Sequence, residues 1–485
     1  MSLQFHNQLT GKVDDFTPQI AGKVSLYTCG PTVYNYLHVG NWTAYIYWDT
    51  LVRVLMAHDL AVDRVMNITD VGHLVSDGDE GEDKLEKGAK REGKTAWEVA
   101  AFYTKDFLLG MERLNLIAPT HLTKATEYIK EQLQLVQTLK EKGFTYEIDD
   151  GIYFDTAQFP TYGDFAGLDL DAQKAGARVE YNPEKRNHSD FALWKFTPDG
   201  ETRDMQWQTP GSLLANGTAR QGFPGWHLEC SAMAMTLLGN TLDLHTGGID
   251  HIPVHHTNEV AQSEAATGVR FANYWLHNNH LKVNGTKISK SLDNSVTLDD
   301  VEAKGFSPID FRMFVLQSHY HSEGNFSYEN LASAHNRLMN WRNVAALRHQ
   351  THDRLRDDDD KSTDDESLSL YASSQAVIEA LSNDLDTPAA FTIIDEVFSR
   401  LQGTAAEAIH QHGLISFLET IDETLGLKLV ESTNDISDDL KRLIIERERT
   451  RENQDWNTAD HLRKTIEKSG ITVRDTAHGS IWEYI

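Results

Sequence analysis

Cysteine is almost absent. The 485-residue chain has two, Cys29 and Cys230, far apart in sequence. That excludes a disulfide-stapled scaffold and a local zinc ribbon; two such free cysteines are ordinarily buried thiols. Positive charge is also short. Lys plus Arg is 45 against 73 for Asp plus Glu, a formal net charge of −28. Phosphate binding wants basic surface, so an extensive nucleic-acid footprint is disfavoured. A single basic track on an acidic body is still enough for an RNA enzyme. No apolar run approaches the ~20 residues that span a bilayer. The opening MSLQFHNQLTGKVDD lacks the apolar core of a signal peptide. The expectation is a cytoplasmic chain with no membrane partner. There is no internal repeat.

What is present reads as soluble and globular: 40% hydrophobic and 24% charged residues. The length exceeds one compact core and fits two to four domains. Residues 24–29 (VSLYTC) form a strand candidate, and the loop Gly30-Pro31-Thr32-Val33-Tyr34 follows. Tyr45, Trp48, Val52 and Leu55 then recur like a helix face, and RVMNIT (64–69) reads as a buried strand. This is a βαβ unit, the start of a doubly wound α/β domain. Residues 145–220 look irregular, and an insertion at about 77–220 is expected to split that domain. The α/β pattern resumes at 225–288, with a hairpin signal at Asn284-Gly285. Beyond 307 the pattern is helical. The organisation expected is a Rossmann-like catalytic domain over 1–306, a helical linker and bundle over 307–430, and a small C-terminal module over 431–485. The charged run 354–367 reads as a solvated linker.

Two short motifs carry chemistry. His38-Val39-Gly40-Asn41 sits where the first strand gives way to the first helix. A helix N-terminus attracts phosphate through free N–H groups and its dipole, and Gly40 lets backbone approach a nucleotide. Lys287-Ile288-Ser289-Lys290-Ser291 follows the hairpin. Two lysines three apart can clamp a triphosphate and stabilise charge developing at the α-phosphate. Taken singly, one is an ordinary turn and the other a solvated basic loop; their order, at the two ends of a split α/β domain, is the specific signal.

Here the chain resembles the class I aminoacyl-tRNA synthetases, with HVGN and KISKS in place of HIGH and KMSKS. The likeness narrows. CGPTVYNYLHVGN, NITD, KRN followed by DFALWK, PGWHLECSAMA, NEVAQSEAATG, KISKSLDN and SHYHSEGNFS look like cysteinyl-tRNA synthetase segments, in that family's order, from residue 27 to about 328. The resemblance implies all-helical C-terminal tRNA-binding domains, and a reaction in two steps: ATP converts L-cysteine to cysteinyl-adenylate, and the 3′ end of tRNA-Cys takes the cysteinyl group. It implies one zinc ion per chain, held by Cys29, Cys230, His255 and Glu259. Independently, His255 and Glu259 are spaced i, i+4 and share a helix face, with His256 at i, i+3 as the rival. Zinc binds a thiolate well and a hydroxyl poorly, so a metal contact separates cysteine from serine without an editing domain. His38 and Asn41 are expected to hold phosphates, Lys287 and Lys290 to stabilise the transferring charge, and Gly40, Gly248 and Asp250 to approach the nucleotide, with Mg2+ accompanying ATP. Gly30, Thr69 and Trp226 are expected around the substrate.

Two departures from the family pattern are Thr257, where an acid is frequent, and His321, where arginine is common. In the tail, Lys441, Arg442, Arg447, Arg449, Arg451, Arg463 and Lys464 can face the anticodon stem or make ordinary helix salt bridges. Trp456 and Trp482 can stack on a base, with core packing the plainer expectation. A monomer is expected. The alternatives are a cysteine ligase of the mycothiol pathway, which has the same catalytic core but no use for the long tail, and a degenerate RNA-binding relative without catalysis.

Overall fold

The computed structural model describes residues 2–72, 83–168, 182–289, 292, 294–351 and 364–485. A small hairpin, β1 (Gln4–Asn7) against β2 (Lys12–Asp15), precedes the expected βαβ unit. That unit is β3 (Lys23–Thr28), α1 (Val39–Ala57) and β4 (Ala61–Ile68). The apolar second half of β4 is buried throughout, as suits a strand covered on both faces. Helices α2 (Lys84–Glu92) and α3 (Ala96–Arg113) follow, then β5 (His121–Lys124), which pairs in parallel with β4. The insertion expected from about residue 77 therefore begins too early: β5 is the edge strand of the central sheet. The polar HLTK stretch hid it, since an edge strand need not be apolar.

Helix α4 (Ile129–Glu141) leads into a second sheet of β6 (Thr145–Ile148), β7 (Gly151–Phe154), β8 (Phe191–Phe196), β9 (Trp207–Thr209) and β10 (Arg220–Pro224). Its order is β6-β7-β8-β10-β9, antiparallel throughout. The expectation of irregular chain over 145–220 is thus corrected. These strands are three to six residues long and separated by turn-rich loops, too short to show alternation. Their own core joins Leu135, Leu139, Phe154, Trp194 and Phe196, and Trp194 donates its indole N–H to Thr209 Oγ1 at 2.7 Å.

The first sheet resumes with α5 (Trp226–Leu238), β11 (Leu242–Gly248), a π-helical turn (Ile252–His256), α6 (Thr257–Thr267) and β12 (Ala272–Asn278). Its order is β12-β11-β3-β4-β5, all parallel. The expected hairpin is β13 (Leu281–Val283) and β14 (Thr286–Lys287), turning at Asn284 and Gly285 with φ of +49° and +75°. After α7 (Leu298–Ala303), the Ser-Pro start opens α8 (Pro308–Leu316), where Ser307 and Asp310 form a capping box. Strand β15 (Gly324–Phe326) pairs with β13.

The remainder is helical: α9 (Tyr328–Ala345), α10 (Asp364–Ser382), α11 (Thr387–Gln402), α12 (Gln411–Leu425), α13 (Asp438–Glu452) and α14 (Trp456–Glu467). It is not all-helical, however. The chain ends in a hairpin, β16 (Ile471–Thr476) against β17 (Gly479–Tyr484), whose Trp482 packs with Ile444 and Ile466. Most of the run 354–367, up to residue 363, lies outside the described residues.

One buried charge cluster ties the sheet domain to the bundle. Asp49 on α1, 0% exposed, takes Arg53 Nε at 2.7 Å and Arg312 Nη2 at 2.5 Å. Arg312, also 0% exposed, reaches the carbonyls of Leu114 and Leu425, and Arg53 those of Asp422 and Glu423. Both arginines thus serve the C-terminal end of α12, where cations are favoured. Burial pushes the Asp49 carboxyl up, but Arg312 and Arg53 outweigh it and hold it below its usual value. Asp49→Asn strands two arginines in the interior and is expected to cost about 3–5 kcal/mol in urea unfolding at pH 7. Because the folded value is depressed, the wild-type advantage is present above about pH 3.9 and is lost as pH falls through the folded value.

Candidate active site and metal centre

All strands of the first sheet are parallel, so their C-terminal ends share one edge, where α/β ligands bind. Cys29 directly follows β3, Thr69 follows β4, and Gly248 ends β11. His38 is the N-cap of α1. Its Nδ1 accepts from the Asn41 N–H at 3.3 Å while Asn41 Oδ1 accepts the His38 N–H at 3.1 Å. Asn41 thereby closes a capping box as well as lying exposed at the helix start. Burial lowers the His38 imidazole below its ordinary value, keeping it neutral at pH 7.

The two motifs meet. A Cβ on Gly40 would lie 2.9 Å from Ile288 Cδ1 and 3.1 Å from the His38 ring, so glycine leaves room for this close approach. The Val39 N–H donates to Val296 O at 2.7 Å, and His38 bridges Thr297. Asn294 clips the KISKS loop, accepting from the Ser289 N–H at 2.9 Å and donating to Lys287 O at 3.1 Å. Lys287 is exposed. Lys290 lies outside the described residues.

Beside this, both cysteines converge. Single ligand atoms of Cys29, Cys230 and His255 lie within 4.8 Å of one another, as do those of Cys29, His245, His256 and Glu259. The four residues expected as ligands therefore fall across two overlapping groups that share Cys29; His255 Nε2 is 3.7 Å from Glu259 Oε1. The π turn over Ile252–His256 is the reason adjacent histidines both reach the cluster, since its wider winding changes where side chains point. His256 is already engaged: Nδ1 is 2.7 Å from His277 Nε2, and Nε2 is 3.4 Å from Cys29 Sγ. His255 Nδ1 is 3.0 Å from His227 Nδ1, which leaves Nε2 facing the donors.

A cation fits here. Glu259 is 0% exposed and neither carboxylate oxygen has a hydrogen-bond partner, although His245 Nε2 is 3.1 Å away. An unpaired buried carboxylate is costly. Two thiols, imidazole and carboxylate form a donor set suited to zinc. Burial pushes the Cys29 thiol up, but hydrogen bonds with Cys230, His251, His255 and His256 bring it well below its ordinary value. Cys230 is raised by burial and by Cys29. Burial lowers His251, yet hydrogen bonding to Cys29 lifts it to about 9.

The other expected residues lie around the same edge. Trp226 stacks on His255, with centroids 4.5 Å apart. The Gly30 N–H donates to Asn67 Oδ1 at 2.7 Å, and a Cβ there would fall 1.6 Å from Asn67 O. Thr69 Oγ1 reaches Glu229 Oε2 at 3.0 Å. A Cβ on Gly248 would meet Asp250 Oδ1 at 2.3 Å, and Asp250 itself is exposed. Sequence reasoning missed His227, His245, His251 and His277, which ring the thiols, and the buried Asn67 and Glu229. Gly247 signalled part of this, since a Cβ there would lie 2.6 Å from the His256 ring and 2.7 Å from His251 Nδ1.

Residues 15–336 match the family described as tRNA synthetases class I (C) catalytic domain, and 433–482 match the cysteinyl-tRNA ligase anticodon binding domain. The chain is 40% identical over 508 residues to a cysteine–tRNA ligase of Treponema denticola, covering 100% of both. It is 39% identical to cysteine–tRNA ligase 1 of Burkholderia lata, covering 99% of this chain and 96% of that one. In fold it is similar to methionyl-tRNA synthetase of Mycobacterium tuberculosis in complex with methionyl-adenylate (TM-score 0.56, 16% identity, 85% of this chain and 91% of that one). It is also similar to a LeuRS–tRNA–LeuAMS ternary complex from Agrobacterium radiobacter (TM-score 0.61, 12% identity, 87% of each).

Purified chain is expected to carry one zinc per molecule by atomic absorption. Cys230→Ser is expected to lower that content at least about tenfold, and His255→Ala more than His256→Ala. A larger loss from His256→Ala would shift the ligand assignment to the His256 group.

Proposed function

The chain belongs to the cysteine–tRNA ligase family of class I aminoacyl-tRNA synthetases, and on that premise we propose how its residues divide the reaction. It is an enzyme that joins cysteine to tRNA with ATP. The observation that carries the residue assignment is the meeting of Gly40 with Ile288, which brings both phosphate-handling motifs to the sheet edge that holds the thiols.

In the first step the carboxylate of cysteine attacks the α-phosphorus of ATP and pyrophosphate leaves. The α1 N-terminus and neutral His38 hold phosphate oxygens, with Asn41 keeping His38 in its capping geometry. Gly40, Gly248 and Asp250 border the nucleotide. Lys287 and Lys290 offset the negative charge that builds on the leaving phosphates, and Mg2+ enters with ATP. In the second step the 3′-terminal adenosine takes the cysteinyl group and AMP leaves. Most of the rate gain comes from positioning and electrostatics.

Cys29, Cys230, His255 and Glu259 would hold zinc, with His245 and His256 against Glu259 and Cys29. When bound, zinc supplies a soft acceptor for the substrate thiolate, which separates cysteine from serine where a single-group difference in an apolar pocket yields only about 10–200-fold. Trp226 walls that pocket through its stack on His255, and Gly30 and Thr69 face the substrate from the strand ends.

For tRNA, the module over 433–482 is the anticodon-facing part. Its basic residues divide by burial. Arg447 (3% exposed) pairs with Asp475 at 2.8 Å and Lys441 (3% exposed) with Asp435, so both serve the fold. Arg449 and Lys464 are exposed, and Trp456 is 57% exposed, against the expectation of core packing that Trp482 meets at 2%. Trp456 is thus the one of the two free to stack on a base. The mycothiol-pathway ligase alternative leaves this module without a use. No helix among the described residues is long and apolar enough to cross a membrane; a cytoplasmic monomer completes the reading.

Cysteine-dependent ATP–pyrophosphate exchange, run with cysteine and serine on zinc-replete and zinc-stripped protein, tests the assignment. Exchange with cysteine alone, lost with the metal, is the expected result. Lys290→Ala is expected to cut exchange by about 10²-fold or more with zinc content unchanged; full exchange in that variant refutes its role. Trp456→Ala is expected to leave exchange intact while raising the KM for tRNA roughly tenfold.

A further inference from the structure

The contact between Gly40 and Ile288 joins the start of α1 to a stretch with little of its own to hold it. Lys287 beside Ile288 is exposed, and β14 is only two residues long. Asn294 supplies the hold from further along the chain. Its Oδ1 accepts the Ser289 N–H at 2.9 Å, and its Nδ2 donates to Lys287 O at 3.1 Å. Those two groups belong to the two peptide planes that flank Ile288. One side-chain amide therefore grips both planes, as a neighbouring strand would. A backbone donor on one side and a backbone acceptor on the other settle which end of the amide is oxygen. The Leu292 N–H donates to Ser289 O at 3.2 Å and turns the chain back toward Asn294.

Asn294 itself hangs from a fixed mount. Val296 O accepts the Val39 N–H at 2.7 Å, and Thr297 pairs with His38. Thr297 caps α7: its Oγ1 accepts the Asp300 N–H at 3.2 Å, and Asp300 Oδ2 accepts the Thr297 N–H at 2.8 Å. Arg113 at the end of α3 ties α7 down through Asp299 at 2.9 Å and Glu302 at 2.8 Å. The short segment 294–297 thus holds Ile288 with a side chain at one end and the start of α1 with its backbone at the other. The clamp needs an amide of this length. Aspartate would set an acceptor against Lys287 O, and alanine would release both planes.

We propose that Asn294 is a positioning residue for adenylate formation: by clamping both peptides of Ile288 against Gly40, it sets the separation between Lys287 and the start of α1. The role rests on the reading of Lys287 and the α1 N-terminus as the groups that handle phosphate. Asn294 acts through the backbone of Ile288 rather than on a substrate. A misplacement of about 1 Å can cost on the order of 10²-fold in rate, so the clamp bears on kcat. Neither of its bonds involves a residue of the thiol cluster, so cysteine binding lies outside its reach.

The test assays zinc-replete full-length protein by cysteine-dependent pyrophosphate exchange, as wild type, Asn294→Ala, Ile288→Ala, the double variant and Lys287→Ala. In Asn294→Ala, kcat is expected to fall roughly 10- to 100-fold, while zinc content and the KM for cysteine stay within about twofold of wild type. Ile288→Ala is expected to fall likewise, and the double variant to lie within about threefold of the worse single one, because both remove the same contact. Asn294→Asp has the same shape, keeps the acceptor for Ser289 and loses the donor for Lys287 O. Its kcat is expected to fall about tenfold, and it decides the matter if Asn294→Ala melts early or loses zinc. Three results overturn the role while Lys287→Ala stays impaired: wild-type kcat in the deciding Asn294 variant, losses that multiply in the double variant, or a KM for cysteine that rises in step with the loss. Wild-type exchange in Lys287→Ala overturns the phosphate reading itself, and this role with it.

Discussion

Glu259 sets the terms for everything around it. A carboxylate with no exposure and no hydrogen bond is held among two thiols and a ring of imidazoles. Nothing in an apolar core stabilises such a set unless a cation completes it. The surrounding structure follows from that demand. The π turn brings His255 and His256 into reach together, Gly247 lets their segment press on β11, and Trp275 and Trp226 close the walls by stacking on His245 and His255. The thiols, imidazoles and carboxylate are consequently one cluster at the C-terminal ends of the parallel strands.

Helix α1 carries the second part of the arrangement. Its first turn holds His38 to Asn41, and its middle is fastened through Asp49 to Arg53 and Arg312 and so to the end of α12. A helix gripped in this way cannot shift along its axis without breaking buried charge pairs. Gly40 and Ile288 are then held in register by the bridge from His38 to Thr297. Positioning of the two motifs is a property of the whole packed unit, bundle included.

The parallel sheet, the hairpin at Asn284-Gly285 and the helical tail were legible in the sequence because each has a local signature: unbroken apolar strands, a turn that needs positive φ, and 3.6-residue spacing. The insertion sheet and β5 were not, since short strands without alternation leave no local trace. Cys29, Cys230, His255 and Glu259 came from resemblance to a family, and spacing alone offered only the His255–Glu259 pair. The outer histidines and Glu229 escaped because burial is a tertiary fact. A histidine in LDLHT or WHLEC looks like any other until the strands that bury it are paired. Asn41 was read for phosphate, while its capping bond to His38 needed coordinates.

The order β12-β11-β3-β4-β5 has one more consequence, for assembly of the chain. β3 is the middle strand, but its neighbour β11 lies beyond the whole antiparallel insertion. During N-to-C synthesis the first half of the sheet must wait, with one long edge unpaired, while the insertion emerges and folds by its own short-range contacts. Cys29 likewise waits for Cys230, His255 and Glu259. Unpaired edges are sticky, so this topology makes the interval before β11 docks the stage at which the nascent chain is most exposed to aggregation.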